Sequence, residues 1–195
     1  ETVLFSKDVS SAVLGPIIST KAGSFQGTKV IPLGQEHAVN AFLGIPYAEP
    51  PTGPQRFNKP KPFHSFPDVF KATDKPPSCF QVDFYIHLPW GDKNSSMSED
   101  CLFLNLWAPE RRTADKKTLK PVMVWIHGGG YVVGSSAMDL YDGQVMSALG
   151  DVVVVTMNYR LSAFGFLNTF TDDAPGNQAL YDQLLALQWV KTNVE

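Results

Sequence analysis

The sequence predicts an α/β fold, with an antiparallel meander leading into a mostly parallel central sheet flanked by helices. Three observations predict it. Between Pro16 and Leu43, short extended segments at 17–20, 27–33 and 38–42 are broken by Gly and Pro, the texture of a meander. Beyond residue 100 the texture changes to longer strands at 102–108, 122–126 and 151–157. The last of these, DVVVVTM, is apolar along its length, as a strand covered on both faces must be. Between the second and third strands, residues 141–149 read as a short helix. That gives a strand–helix–strand unit, the building block of a parallel sheet with a right-handed crossover.

Taken in order, residues 1–15 read as a loosely held tail and 16–195 as part of one domain. The stretch 46–67 holds seven prolines, which fix φ and remove donors, so it reads as ordered loop lying over the scaffold. Cys79 and Cys101 are the two cysteines. They form either a bridge closing a loop of about 20 residues, stabilising by roughly 3 kcal/mol, or two unrelated buried thiols. Asn94-Ser95-Ser96 between them is a glycosylation acceptor, which together with a bridge points to an oxidising compartment and secretion. Near the end, Asn177 after Pro175-Gly176 reads as the cap of a helix whose Leu180, Leu184 and Leu187 recur at helical spacing. That pattern meets no stop signal before Glu195, and the chain opens on Glu1, so a processed product or fragment is expected. Alone, such a chain exposes one edge or face of an apolar sheet, and the expected partner is the remaining C-terminal part of the same domain.

Composition narrows the function classes. A hydrophobic content of 44% supports a real core, and a net charge of −3 leaves no basic footprint for nucleic acid. No run of the sequence approaches the length of a membrane span.

The chemistry concentrates in residues 121–134, PVMVWIHGGGYVVG. A β-branched run ends in His127 and three glycines, Gly128, Gly129 and Gly130. Without Cβ atoms this backbone can turn sharply and aim N–H groups at something close. A strand ending in HGGG is one way serine esterases build an oxyanion hole. A strand followed by a plain flexible turn is the alternative.

Five motifs then line up in order: FLGIPYAEPPTGPQRF at 42–57, MSEDCLFLNLWAP at 97–109, VMVWIHGGGYVVGSS at 122–136, VVVVTMNYRLSAFGFL at 152–167, and APGNQALYDQLLALQWVKTNVE at 174–195. Together they resemble the N-terminal third of the type-B carboxylesterase/cholinesterase family. The resemblance implies an α/β-hydrolase fold, truncated here before the nucleophile elbow. No serine in the chain has glycine two places on either side, and none of His37, His64, His87 and His127 matches the base of the triad. The catalytic triad is therefore expected outside these residues, and the chain alone is expected to be inactive. What the resemblance places inside is the electrophilic half of the site. The N–H groups of Gly129 and Gly130 would donate to the oxyanion, Gly128 and Tyr131 would line the substrate space, and His127 would shape the loop. Trp90 resembles the tryptophan that stacks on a choline ammonium, and Tyr141 a gorge-lining tyrosine; a packing role is open for both. Arg56, Glu99 and Arg160 would form a structural cluster of two arginines around one carboxylate. The implied activity is hydrolysis of a small-molecule carboxylic ester through an acyl-serine, without metal or cofactor, in a secreted or extracellular protein of unassigned oligomeric state. The competing implication is a cholinesterase-like adhesion or scaffold protein that keeps the fold without the chemistry; the intact glycine run favours the enzyme.

Overall fold

A computed structural model describes residues 13–82, 96–110 and 119–194. The chain opens with β1 (Val13–Thr20), β2 (Gly23–Val30) and β3 (Val39–Pro46), an antiparallel meander. β1 starts inside the stretch read as tail, because Val13 already pairs with Lys29. Two-residue strands follow: β4 (Phe70–Lys71), parallel to β2, then β5 (Ser78–Cys79) and β6 (Met97–Ser98), which pair with each other. β7 (Phe103–Pro109), β8 (Val122–Ile126) and β9 (Val153–Met157) complete the main sheet, whose order is β1-β2-β3-β7-β9-β8. This is a mixed sheet, in keeping with the α/β-hydrolase fold that the resemblance implies. Its main path is antiparallel up to β9, and the predicted parallel pairing begins at β8–β9.

The segments 102–108, 122–126 and 151–157 land on β7, β8 and β9 within two residues. The helix expected over 141–149 is instead a 3-10 turn, Asp139–Tyr141, followed by α1 (Gln144–Gly150). Gly143 separates them. A Cβ there would come within 2.7 Å of both the Trp107 ring and Val154, so glycine lets the chain pass close to the sheet, while the extended backbone of Asp142 breaks the helical run. α2 (Ser162–Phe166) and the small hairpin β10 (Asn168–Thr171) and β11 (Ala174–Pro175) lead to α3 (Gln178–Asn193).

α3 departs most from the sequence reading. Asn177 stands at its N-cap, but in a left-handed conformation with φ of +62° and without a side-chain cap bond. Its carbonyl, not its amide, accepts from the N–H groups of Leu180 and Tyr181. The buried face is Ala179, Asp182, Ala186 and Val190, whereas Leu184 is 50% exposed with Leu180 and Leu187 on the same outer side. Small residues let the helix lie close against the core of Phe25, Phe42, Leu104, Val155 and Met157. At its end, the Asn193 side chain accepts from the Ala22 N–H in the β1–β2 turn, tying the helix to the far hairpin.

Cys79 and Cys101 are bonded, closing β5 and β6 onto the start of β7. Both cysteines are buried, and the bridge spans 22 residues. In the chain-entropy picture a loop of that length contributes about 3 kcal/mol. Replacing both cysteines by alanine in the full-length protein is expected to lower the thermal midpoint markedly in a melt followed by circular dichroism. An unchanged midpoint would remove the bridge from the stabilising set. Trp90 and Asn94 lie outside the described residues.

Candidate functional site

The site is the end of β8 and the loop that follows it. Ile126 pairs with Met157, after which the chain leaves the sheet through buried His127. Two contacts fix this ring. Its Nδ1 lies 2.9 Å from the Gly128 carbonyl, and it stacks on Tyr159 with ring centres 4.4 Å apart. The Tyr159 hydroxyl in turn donates to the His127 carbonyl at 2.6 Å. Burial pushes the His127 imidazole below its usual value, so it is neutral around pH 7. Burial also pushes the Tyr159 hydroxyl up to about 12, which keeps it a donor. The pair ties the end of β8 to the chain that follows β9.

The loop then folds on Gly129, whose carbonyl accepts from the N–H groups of Val132 and Val133 at 3.0 and 3.1 Å. Gly129 has φ of +124°, and a Cβ on it would run into the Val133 carbonyl. Gly130 has φ of +60°, yet a Cβ on it would meet no protein atom within 4 Å. The two glycines are thus required for different reasons, one by sterics and one by backbone conformation. No described residue accepts from the N–H of Gly129 or Gly130. Two adjacent amide donors without an acceptor among the described residues, on a turn held by the sheet, suit an oxygen that carries or develops negative charge.

Tyr131 continues the turn with φ of +61°, an unusual conformation for a bulky residue. The Ser162 N–H donates to its carbonyl at 2.8 Å, and its ring sits edge-on to Phe166 and Tyr159. Tyr131 keeps 48% of its surface exposed. Tyr141 packs on Trp125, ring centres 5.5 Å apart.

Beyond the glycines, buried amides hold the returning chain. The Asn158 side chain accepts from the Ser136 N–H at 2.8 Å and donates to the Pro77 carbonyl at 2.8 Å. Asn105 donates to Ser136 and Thr156 and accepts from the Gly44 N–H, at the bulge where β3 slips against β7. Gln81 meets the backbone of Gly134 from the disulfide-closed segment. Sequence reading missed all three. The only local sign was an amide inside an apolar strand, as in LFLNLW and VTMNYR.

The charged cluster needs a correction. Arg56 does grip Glu99 through two bonds, Nε to Oε2 at 2.7 Å and Nη2 to Oε1 at 2.8 Å. Arg160 pairs instead with Asp182 of α3, which accepts from its Nε, Nη2 and backbone N–H. Its remaining Nη1 donates to the carbonyls of Arg56 and Asn58, so it does reach the proline-rich loop, but through backbone. Glu99 and Arg160 line one crevice beside the disulfide without sharing a charge contact. Asp182 is fully buried and Glu99 only partly so, and a carboxylate with no access to water needs the cation more.

Among the described residues, no group of three or more His, Cys, Asp or Glu is placed to hold a metal ion, and no helix is long and apolar enough to cross a membrane.

Comparison with known proteins places these observations in a family. A family model described as the carboxylesterase family matches residues 15–195. An acetylcholinesterase-1 from Trittame loki is 64% identical over 188 residues, covering 96% of this chain and 34% of the relative. An acetylcholinesterase from Danio rerio is 46% identical over 200 residues, covering 99% of this chain and 31% of the relative. A carboxylesterase 5A from Canis lupus familiaris is 41% identical over 202 residues, covering 99% and 34%. The chain therefore spans about a third of the length of the curated relatives it matches.

Proposed function

The chain belongs to the carboxylesterase family, and from that premise we propose that it is the N-terminal part of a serine carboxylic-ester hydrolase working through an acyl-enzyme. The observation that carries the reading is the pair of N–H groups on Gly129 and Gly130, which no described residue engages, on the loop that leaves β8. In this reading they stabilise the oxyanion that forms when a serine outside these residues attacks the ester carbonyl. The carbonyl π electrons move onto that oxygen, and collapse expels the alcohol. Water then repeats the sequence on the acyl-serine. Each donor is worth roughly 3 kcal/mol in the transition state. Gly128 and Tyr131 border the substrate, and no step calls for a metal or cofactor.

The remainder of the domain is the partner this reading requires. β8 is the edge of the sheet, and its Val122, Met123, Trp125 and Ile126 are exposed, as is the leucine side of α3. Apolar edges of that extent are covered in working proteins. The chain by itself, lacking a nucleophile elbow, would be inactive. The Cys79–Cys101 bridge supports an oxidising, extracellular location.

The test uses the full-length protein with p-nitrophenyl acetate and acetylthiocholine as substrates and a phosphorylating serine inhibitor as probe. Turnover of either ester, abolished by one phosphoryl adduct per chain, is the expected result. Absence of both turnover and adduct would favour an inactive, scaffold-like member of the family.

A further inference from the structure

Gln81 takes no part in the reading above, yet its contacts converge on the glycine loop. Its side-chain amide pairs with both backbone groups of one residue: the Gly134 N–H donates to Oε1 at 2.8 Å, and Nε2 donates to the Gly134 carbonyl at 2.9 Å. Nε2 also donates to the Cys79 carbonyl at 3.1 Å, which locks the amide to the disulfide. Gly134 has φ of +119°, and a Cβ there would strike the His127 ring and come within 2.6 Å of the Gly128 carbonyl. The end of the loop therefore lies directly against its beginning. Whatever holds Gly134 also holds the start of the glycine run. Among the other anchors, Tyr159 on His127 and Asn158 on Ser136 come from the chain just after β9, and Asn105 on Ser136 from β7. Gln81 anchors the loop from a different part of the chain, the disulfide-closed segment.

We propose that Gln81 is a positioning residue that sets the Gly128–Gly134 loop in the geometry its amide donors need, and that it does so from the Cys79–Cys101 bridge. The proposal rests on the esterase reading for its catalytic consequence, though not for its mechanical one. Only a primary amide of this length donates and accepts at once across that gap. Alanine removes both bonds. Glutamate keeps the acceptor for the Gly134 N–H but sets a carboxylate oxygen against the Gly134 carbonyl.

In the full-length protein, Gln81→Ala is expected to lower kcat for p-nitrophenyl acetate about ten-fold or more, with KM nearly unchanged. Oxyanion donors act on the transition state rather than on the bound ester, and small misplacements are expensive there. Gln81→Glu is expected to be impaired at pH 8. Its kcat relative to the parent protein should then rise as the pH falls and the carboxyl regains a proton to donate. A side chain that merely fills space gives no such pH signature. Hydrogen exchange of the amides at 128–134 is the companion measurement, and Gln81→Ala should accelerate it about ten-fold. Unchanged exchange in both variants overturns the proposal whatever the kinetics show. If the parent protein turns over no ester, the esterase reading fails separately, and the exchange rates still decide the role of Gln81.

Discussion

Alanine at Gly129 and alanine at Gly130 are expected to fail in different ways in the full-length protein. At Gly129 the new methyl group is driven into the Val133 carbonyl, on a backbone with φ of +124°. The turn that delivers the N–H groups of Val132 and Val133 to the Gly129 carbonyl cannot survive that overlap. Loss of ordered loop geometry removes both candidate donors at once, so kcat should fall by at least about a hundred-fold. The thermal midpoint should drop with it, because the displaced loop also carries His127 and Gly134. At Gly130 the methyl meets no protein atom within 4 Å, and the left-handed backbone alone costs about 1–2 kcal/mol. That protein should fold and accumulate almost normally. On the esterase reading the ester must approach these donors through open space that the methyl group would now share, so kcat should fall steeply while the midpoint barely moves. Steady-state kinetics beside a thermal melt separates the two. Normal turnover by Gly130→Ala would refute the assignment of this loop to the reacting carbonyl, and equal midpoints would refute the steric account of Gly129.

How far the sequence foretold this site follows from what each signal measures. β8 and β9 were legible because β-branched apolar runs flanked by turn residues have few alternatives, and HGGG was legible because three glycines after a strand demand a backbone explanation. The docking face of α3 was not. Periodicity favours the largest apolar side chains, which led to Leu180, Leu184 and Leu187, whereas close packing on the sheet selected Ala179, Ala186 and Val190. Asp182 falls on that same inner face. Its partner lies 22 residues away, a relation that no local pattern encodes. Gln81 was hidden for a similar reason. Its function depends on Gly134, 53 residues on, being brought beside the disulfide by the crossover from β8 to β9. The family resemblance placed two arginines on one glutamate, and the structure divides them between Glu99 and Asp182.

That division predicts which carboxylate the fold depends on more. Asp182 is fully buried and Arg160 nearly so, and the Asp182 carboxylate accepts three hydrogen bonds from Arg160. Burial pushes the Asp182 carboxyl up while those bonds oppose the shift. Asp182→Ala would strand a guanidinium in the interior, and breaking a buried pair in this way costs about 3–5 kcal/mol. The expected result is poor accumulation of the full-length protein and a much lower thermal midpoint, with kcat per folded molecule little changed. Glu99→Ala should be milder, because Arg56 is well exposed and water takes over its solvation. Equal losses from the two substitutions would contradict the assignment. The double variant Arg160→Leu/Asp182→Leu distinguishes charge pairing from architecture. If Arg160 served only to neutralise Asp182, removing both charges would restore most of the stability, as replacing other buried ion pairs has done. Arg160 also donates to the carbonyls of Arg56 and Asn58, and these lose their donor in the double variant. Restoration should therefore be partial, with the deficit falling on the proline-rich loop. Proteolysis within 46–67 reads that deficit directly: faster cleavage in the double variant than in the parent protein marks Arg160 as the tie between that loop and α3.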